Sequence, residues 1–384
     1  MRFEFATAGR IIFGPGTLRE IGPAARDAGR HALVVTGRDP ARVLPLLDFL
    51  NAEKIAFTPF PAAGEPTVDS VRAATAVSRA AGCDFTIGFG GGSSIDTAKA
   101  VAALLANDGD PLDYLEVIGR GLSLSRPAVT CLAIPTTAGT GAEVTRNAVI
   151  AAPTQRFKAS LRHASLLPRV ALVDPELALG VPPEVTAATG LDALTQLIEP
   201  YVSCRANPFT DALCVDGIPR AARSLARACQ DGRDAAARAD LALASLFSGL
   251  ALANAGLGIV HGFAAPIGGM FSAPHGAVCA ALLPHAMAAN LAAARARQPG
   301  SEIVRRYDEV ARLLTGRPHA TADDGVAWIR RLVVDLGIPR LASLGVAAAE
   351  VPALVAKAAT ASSTKANPLP LTDAELTALV TAAL

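Results

Sequence analysis

The chain has 384 residues, more than one hydrophobic core ordinarily organises, so two domains are expected. With 51% hydrophobic and 18% charged residues it can bury a large core and is too apolar for a disordered protein. A formal charge of +1, from 35 basic and 34 acidic residues, argues against nucleic acid or an anionic membrane as partner and leaves a small molecule as the expected one.

Residues 31–37, His31-Ala32-Leu33-Val34-Val35-Thr36-Gly37, are a short apolar run closed by glycine, which predicts a buried strand and a turn. A helix-like stretch covers 68–81. Residues 84–89 predict a second strand that enters Gly90-Gly91-Gly92, and 94–105 read as the helix behind it. Residues 129–134 predict a third strand, ending at Pro135. Alternating strands and helices predict a mainly parallel sheet covered on both faces. Beyond Asp174-Pro175-Glu176 strand signals fade, Ala/Leu-rich helical stretches take over, and Pro182-Pro183 marks the change. The expected architecture is an N-terminal α/β, Rossmann-like domain over residues 1–180 and an all-helical domain over 181–384. A cleft between two domains is a common ligand site.

Residues 241–294 contain no Asp, Glu, Lys or Arg, and hydropathy alone would have them span a membrane. Glycines and prolines from Gly256 through Pro284 punctuate this stretch, and His261, His275 and His285 are expensive in lipid, so buried helices of a soluble domain are expected instead. Cysteines at 83, 131, 204, 214, 229 and 279 form no CxxC pair and read as reduced thiols of a cytoplasmic protein. Met1-Arg2-Phe3-Glu4-Phe5 lacks the pattern of a signal peptide.

Three segments carry chemistry. The first is Gly90-Gly91-Gly92-Ser93-Ser94-Ile95-Asp96-Thr97-Ala98-Lys99, between a strand and a helix. Glycines let backbone N–H groups approach an anion, and a helix N-terminus, with Ser93 or Ser94 as its cap, favours a pyrophosphate. The spacing is not that of the common G-x-G-x-x-G fingerprint. The second segment, Pro135-Thr136-Thr137-Ala138-Gly139-Thr140-Gly141-Ala142-Glu143, offers hydroxyls at the end of the next strand, on the same edge of the sheet. The third is a dispersed set. Asp192 and Gln196, four apart, share a helix face, and His261 and His275 follow. One carboxylate and two imidazoles suit Zn²⁺ or Fe²⁺. Spacing alone leaves open, and favours, the alternative of hydrogen-bonded core histidines.

Taken in order, these segments resemble the iron-containing alcohol dehydrogenase superfamily. The likeness runs from Ile12-Phe13-Gly14-Pro15-Gly16 through the glycine loop, the threonine loop with Val144-Thr145, and Asp174-Pro175-Glu176-Leu177. It continues through Asp192-Ala193-Leu194-Thr195, Asn254-Ala255-Gly256-Leu257-Gly258, Pro274-His275-Gly276, Leu282-Leu283-Pro284-His285 and Asn367-Pro368, covering essentially the whole chain. The resemblance implies the two-domain dehydroquinate synthase-like fold, with NAD or NADP on the first domain and metal and substrate on the second. It also implies a divalent metal and a homodimer or larger homo-oligomer. It carries cofactor contact onto Gly91, Gly92, Ser93, Asp96, Thr136, Thr137, Thr140 and Lys158, and metal ligation onto Asp192, His261 and His275.

The chain departs from the family pattern at three places. Gln196 stands where a metal-binding His is usual, and a neutral amide oxygen is a weaker ligand than imidazole. Glycerol dehydrogenases resemble a three-ligand alternative, in which Gln196 would touch the metal or its water. Ala265 replaces a second familiar His. Gly37 and Arg38 follow the first strand where NAD-preferring members often carry an acid, which leaves two readings: Arg38 pairs with the 2′-phosphate of NADP, or it simply faces solvent. The implied activity is reversible hydride transfer between an alcohol and its aldehyde or ketone, with His275 or His285 passing the proton and Leu257, Phe263 and Phe271 excluding water. The competing readings are a maleylacetate reductase-like enzyme, a dehydroquinate synthase-like lyase and a metal-free degenerate member. Ala265 counts against the first, and the lack of Lys or Arg between Arg238 and Arg295 counts against the second.

Overall fold

The computed structural model describes residues 2–62 and 64–384. The chain divides into two compact units, Ala6–Leu179 and Gly180–Leu384, the second joined by the N-terminal segment through Phe5.

The first unit alternates strands and helices: β1 Arg10–Phe13, α1 Ile21–Ala28, β2 His31–Thr36, α2 Leu44–Ala52, β3 Ala56–Pro61, α3 Val68–Ala81, β4 Phe85–Gly90, α4 Gly92–Ala106, the short α5 Pro111–Tyr114, and β5 Cys131–Pro135. A hairpin, β6 Asn147–Ala152 and β7 Phe157–Arg162, precedes β8 Val170–Val173. Six strands form one parallel sheet in the order β1-β8-β5-β4-β2-β3, and β6 and β7 pair antiparallel apart from it. The expected parallel sheet is found; the hairpin was not foreseen.

Alternation along the strands builds the two faces. Ala32 and Val34 of β2 join Leu46, Leu50 and Phe85 in the core that includes α1 and α2 residues. Leu33 and Val35 turn the other way, onto Ala74 of α3 and Ala98 and Val101 of α4. Strand β3 holds Pro59 and Pro61, which lack the N–H a central strand must donate, and it lies at the sheet edge, where proline is tolerated. The hairpin is tied down by a charge. Lys99 of α4 is fully buried, and its ammonium donates to Thr145 O at 3.2 Å, Thr145 Oγ1 at 2.9 Å and Asn147 O at 2.7 Å. Three acceptors satisfy its three donors, which is what permits a lysine at such a depth.

The second unit is helical: α6 Pro183–Val202, α7 Pro208–Gln230, α8 Ala235–Ala255, α9 Ile259–Phe271, α10 His275–Arg297, α11 Glu302–Thr315, α12 Ala322–Asp335, α13 Val351–Thr360 and α14 Asp373–Ala383. By length and composition α8 and α10 could each cross a membrane, yet 61% and 78% of their most apolar windows are buried in the protein. Their lack of charge follows from their place in this core. Helix α6 carries fifteen buried residues, Asp192, Gln196 and Glu199 among them.

Candidate nucleotide and metal sites

Without β1, the first unit's sheet runs β3-β2-β4-β5-β8, the doubly wound order in which the chain reverses direction between β2 and β4. Ligands of such sheets bind beyond the carboxyl ends of the strands at that reversal. Here β2 ends at Thr36-Gly37 and β4 at Gly90-Gly91. A Cβ on Gly90 would stand 3.5 Å from Gly37 N, so the two ends adjoin. The threonine loop closes the third side. A Cβ on Gly91 would lie 3.2 Å from Thr137 Oγ1, and one on Gly92 only 2.7 Å from Thr140 Oγ1, so only glycine fits at 92. Thr136 N donates to Gly90 O at 2.9 Å.

One expectation is corrected. Helix α4 begins at Gly92, with Gly91 as its N-cap and no side chain capping it. Ser93 and Ser94 already lie inside the first turn and cannot cap. The helix therefore starts on glycines, whose bare amides can face an anion. Gly37, Gly91, Gly92, Thr136, Thr137 and Thr140 gather around this point, and Arg38 is an exposed neighbour just beyond Gly37. Ser93 begins the second residue of α4. Asp96 and Lys158 are held by protein partners. Asp96 Oδ2 accepts from Val149 N at 3.0 Å, and Lys158 pairs with Glu65.

Beside the threonine loop, Glu143 is 2% exposed, and burial pushes its carboxyl up to about 7 in spite of Lys99 nearby. It closes the second segment singled out from the sequence, which gave it no role of its own.

The helical unit assembles the second site from α6, the first turn of α9 and the first turn of α10. Gly276 lets α10 approach α6; a Cβ there would stand 2.4 Å from Ala188 O. Asp192 is 1% exposed, and its Oδ1 lies 3.4 Å from His261 Nε2 and 3.6 Å from His275 Nε2. Cys279, one turn after His275, places Sγ 3.8 Å from His261 Nε2 and 3.7 Å from His275 Nε2. One donor atom from each of Asp192, His261, His275 and Cys279 lies within 4.8 Å of all the others.

Glu199 stands behind His261. Its Oε2 is 2.6 Å from His261 Nδ1, and its Oε1 accepts from Val260 N at 2.7 Å. A carboxylate only accepts, so Nδ1 carries a hydrogen toward Glu199 and Nε2 is the ring atom that faces Asp192. Asn367 completes the start of α9, accepting from Ile259 N at 3.2 Å while its amide holds Asn290 Oδ1 and Leu369 O.

Charges in this cluster oppose desolvation. Burial alone would lower the pKa of both imidazoles, but the Cys279 sulfur with Asp192 lifts His275 to about 9, and Cys279 with Glu199 lifts His261 well above its usual value. Burial would raise Asp192, and the two histidines, aided by the Gln196 amide, hold it below the usual carboxylate range. Even so, among the described residues Asp192 Oδ1 has no hydrogen-bond partner, only the two imidazole Nε2 atoms at 3.4 and 3.6 Å. A buried anionic oxygen in that state is costly, and a divalent cation among these oxygen, nitrogen and sulfur donors would relieve it, so the residues fit such an ion.

Gln196 faces Asp192, and its Oε1 accepts from Ser248 Oγ at 3.3 Å. His285 is not in the cluster. It lies ten positions beyond His275 on α10, about 15 Å along the axis at 1.5 Å per residue, and burial followed by Arg330 and Arg340 lowers its pKa. Phe263 is fully buried core, whereas Leu257 and Phe271 are half-buried. Sequence reasoning missed Cys279 and Glu199. Each stands at helical spacing from a residue it did find, four after His275 and seven after Asp192.

Glycine amides at the reversal point of a doubly wound sheet, and hard and soft donors grouped on buried helices, characterise nucleotide-dependent, metal-assisted oxidoreductases. Comparison with known proteins narrows this class. The profile for iron-containing alcohol dehydrogenase matches residues 8–175, and that for the C-terminal part of the Fe-containing alcohol dehydrogenase family matches 186–384. A probable alcohol dehydrogenase, EutG, of Salmonella typhimurium is 37% identical over 378 residues, covering 97% of this chain and 92% of its own. The crystal structure of a 1,3-propanediol oxidoreductase superposes with a TM-score of 0.92 at 33% identity, covering all of both chains. A sulfoacetaldehyde reductase from Bifidobacterium kashiwanohense, solved in complex with NAD⁺, superposes at 0.86 with 28% identity, covering 100% of this chain and 99% of its own. The chain belongs to the iron-containing alcohol dehydrogenase family and is an oxidoreductase acting on CH–OH groups. NAD(P) and a divalent metal are the cofactors of this family.

Proposed function

We propose that the protein catalyses reversible hydride transfer between a small alcohol and its aldehyde or ketone, using NAD or NADP and a divalent cation at Asp192, His261 and His275. The observation that carries this reading is the buried, unpartnered Asp192 Oδ1 facing two imidazole Nε2 atoms. When bound, the cation supplies Lewis acidity toward the substrate oxygen and the nicotinamide supplies the hydride.

The chain's own residues do the positioning. The amides of Gly91 and Gly92 receive the pyrophosphate. Thr136, Thr137 and Thr140 line its other side, and Arg38 lies next to Gly37 within reach of a 2′-phosphate. His275, with 33% of its side chain exposed, is the donor open to substrate, and with Nε2 given to the cation a proton it passes is carried on Nδ1. Glu199 fixes the His261 tautomer, and the Gln196 amide orients Asp192 from outside. The six free cysteines accord with a cytoplasmic enzyme, and a homodimer or larger homo-oligomer is the proposed assembly.

The test is Asp192→Ala, assayed for metal content and for NAD(P)H turnover against a panel of aldehydes. Both are expected to disappear. Unchanged turnover in this variant would overturn the mechanism, and cofactor and metal binding without alcohol oxidation in the wild type would favour a lyase.

A further inference from the structure

The departure at Gln196 raises the question of what replaces the missing imidazole. A tetrahedral cation with bonds of 2.0–2.3 Å holds its donors at separations of ~3.3–3.8 Å. Four edges of such a figure are present among Asp192 Oδ1, His261 Nε2, His275 Nε2 and Cys279 Sγ, at 3.4, 3.6, 3.8 and 3.7 Å. The other two, His261 to His275 and Asp192 to Cys279, are within 4.8 Å. Gln196 is engaged elsewhere. The carboxylate it faces can only accept, so its NH₂ points at Asp192 and its carbonyl oxygen lies on the Ser248 side, 3.3 Å from a hydroxyl whose shorter bond, at 2.8 Å, goes to Ser245 O.

We propose that Cys279 is the fourth protein donor of the cation site, taking the place that Gln196 leaves, so that the site holds a thiophilic divalent ion such as zinc through Asp192, His261, His275 and the Cys279 thiolate. This rests on the cation reading above and extends it. On binding, the S–H bond breaks, the sulfur lone pair forms the bond to the metal and the proton leaves to solvent. The thiolate softens the donor set and shifts its preference toward zinc. Gln196 becomes a positioning residue that acts through Asp192. The His275 side chain keeps 33% of its surface exposed, so this side of the donor set stays open to a substrate.

The test loads the full-length protein with Co²⁺ and records its absorption, alongside Zn²⁺ affinity measured by chelator competition. The wild type is expected to bind one equivalent with a thiolate-to-cobalt charge-transfer band in the near ultraviolet. Cys279→Ala and the near-isosteric Cys279→Ser are expected to lose the band. Their zinc affinity should drop by at least the ~10–100-fold that follows loss of an outer partner of a ligand. Gln196→Ala is expected to keep the band even if affinity declines. Cobalt bound by the wild type without the band, or zinc bound as tightly by both Cys279 variants as by the wild type, would overturn the proposal and leave the cation site standing. A wild type that takes up neither ion would sink the cation reading itself, and the proposal with it. Circular dichroism of the two variants separates a lost donor from a lost fold.

Discussion

The substitution Glu199→Gln isolates how the protein prepares His261. Glu199 accepts from two donors at once, His261 Nδ1–H at 2.6 Å and Val260 N–H at 2.7 Å, and is only 6% exposed. Glutamine has nearly the same shape but a single acceptor oxygen, so one donor must meet an NH₂. If the NH₂ turns to His261, the ring can accept only by moving its proton to Nε2, the atom that faces Asp192, and a protonated Nε2 binds no cation. If it turns to Val260, a buried N–H in the first turn of α9 loses its partner, at about 1–3 kcal/mol. Loss of an outer partner of a ligating histidine lowers metal affinity ~10–100-fold, roughly 1.4–2.8 kcal/mol. The assay is zinc affinity by chelator competition, with denaturant unfolding run in parallel to follow the second branch. Zinc affinity within twofold of wild type, with unchanged stability, would refute this account of Glu199.

Three further outcomes are expected. Gly92→Ala puts a Cβ 2.7 Å from Thr140 Oγ1 at the start of α4, so nicotinamide nucleotide affinity should fall at least tenfold in a binding titration, and Thr140→Ala on the same background should restore part of it. Glu143 has a raised native pKa, about 7 against 4.5. The folded chain therefore binds more protons than the unfolded chain between these values, and its stabilising contribution is full below pH 4.5 and lost as pH rises through 7. The shift of 2.5 units, 7 minus 4.5, is worth about 3 kcal/mol, so Glu143→Gln should gain that much on wild type between pH 4.5 and 8 in denaturant titrations; parallel pH profiles would contradict it. Arg38→Ala should raise KM for NADP several-fold and leave that for NAD nearly unchanged, as steady-state kinetics with both cofactors will record.

What sequence made legible followed the strength of local signals. Strands β2, β4 and β5 are unbroken apolar runs ending in glycine or proline, and their edges moved by no more than two residues. Strand β3 was hidden because Pro59 and Pro61 speak against a strand unless it lies at an edge, and edge position depends on the whole sheet. The hairpin of β6 and β7 pairs locally, Ala152 with Phe157 out to Asn147 with Arg162, and was missed because its turn, Pro153–Gln155 with Arg156 left-handed, lacks the glycine that marks such loops. At the metal site, motif order pointed to Asp192, His261 and His275. Cys279 became a candidate only once α9 and α10 were seen to converge on α6, although its spacing from His275 was in plain view. His285 could have been set aside by arithmetic, since ten residues at 100° each turn it about 80° away from His275 as well as 15 Å along the helix.

The grip of Asn367 on α9 bears on how the enzyme is made. The first turn of α9, which carries His261, leans on an amide that arrives 106 residues later, and that amide also clasps Asn290 on α10. A nascent chain emerging from the ribosome would expose Asp192, His261, His275 and Cys279 long before this brace exists. The brace on the first turn of α9 therefore forms only after Asn367 has been made, well after the four donors of the cluster.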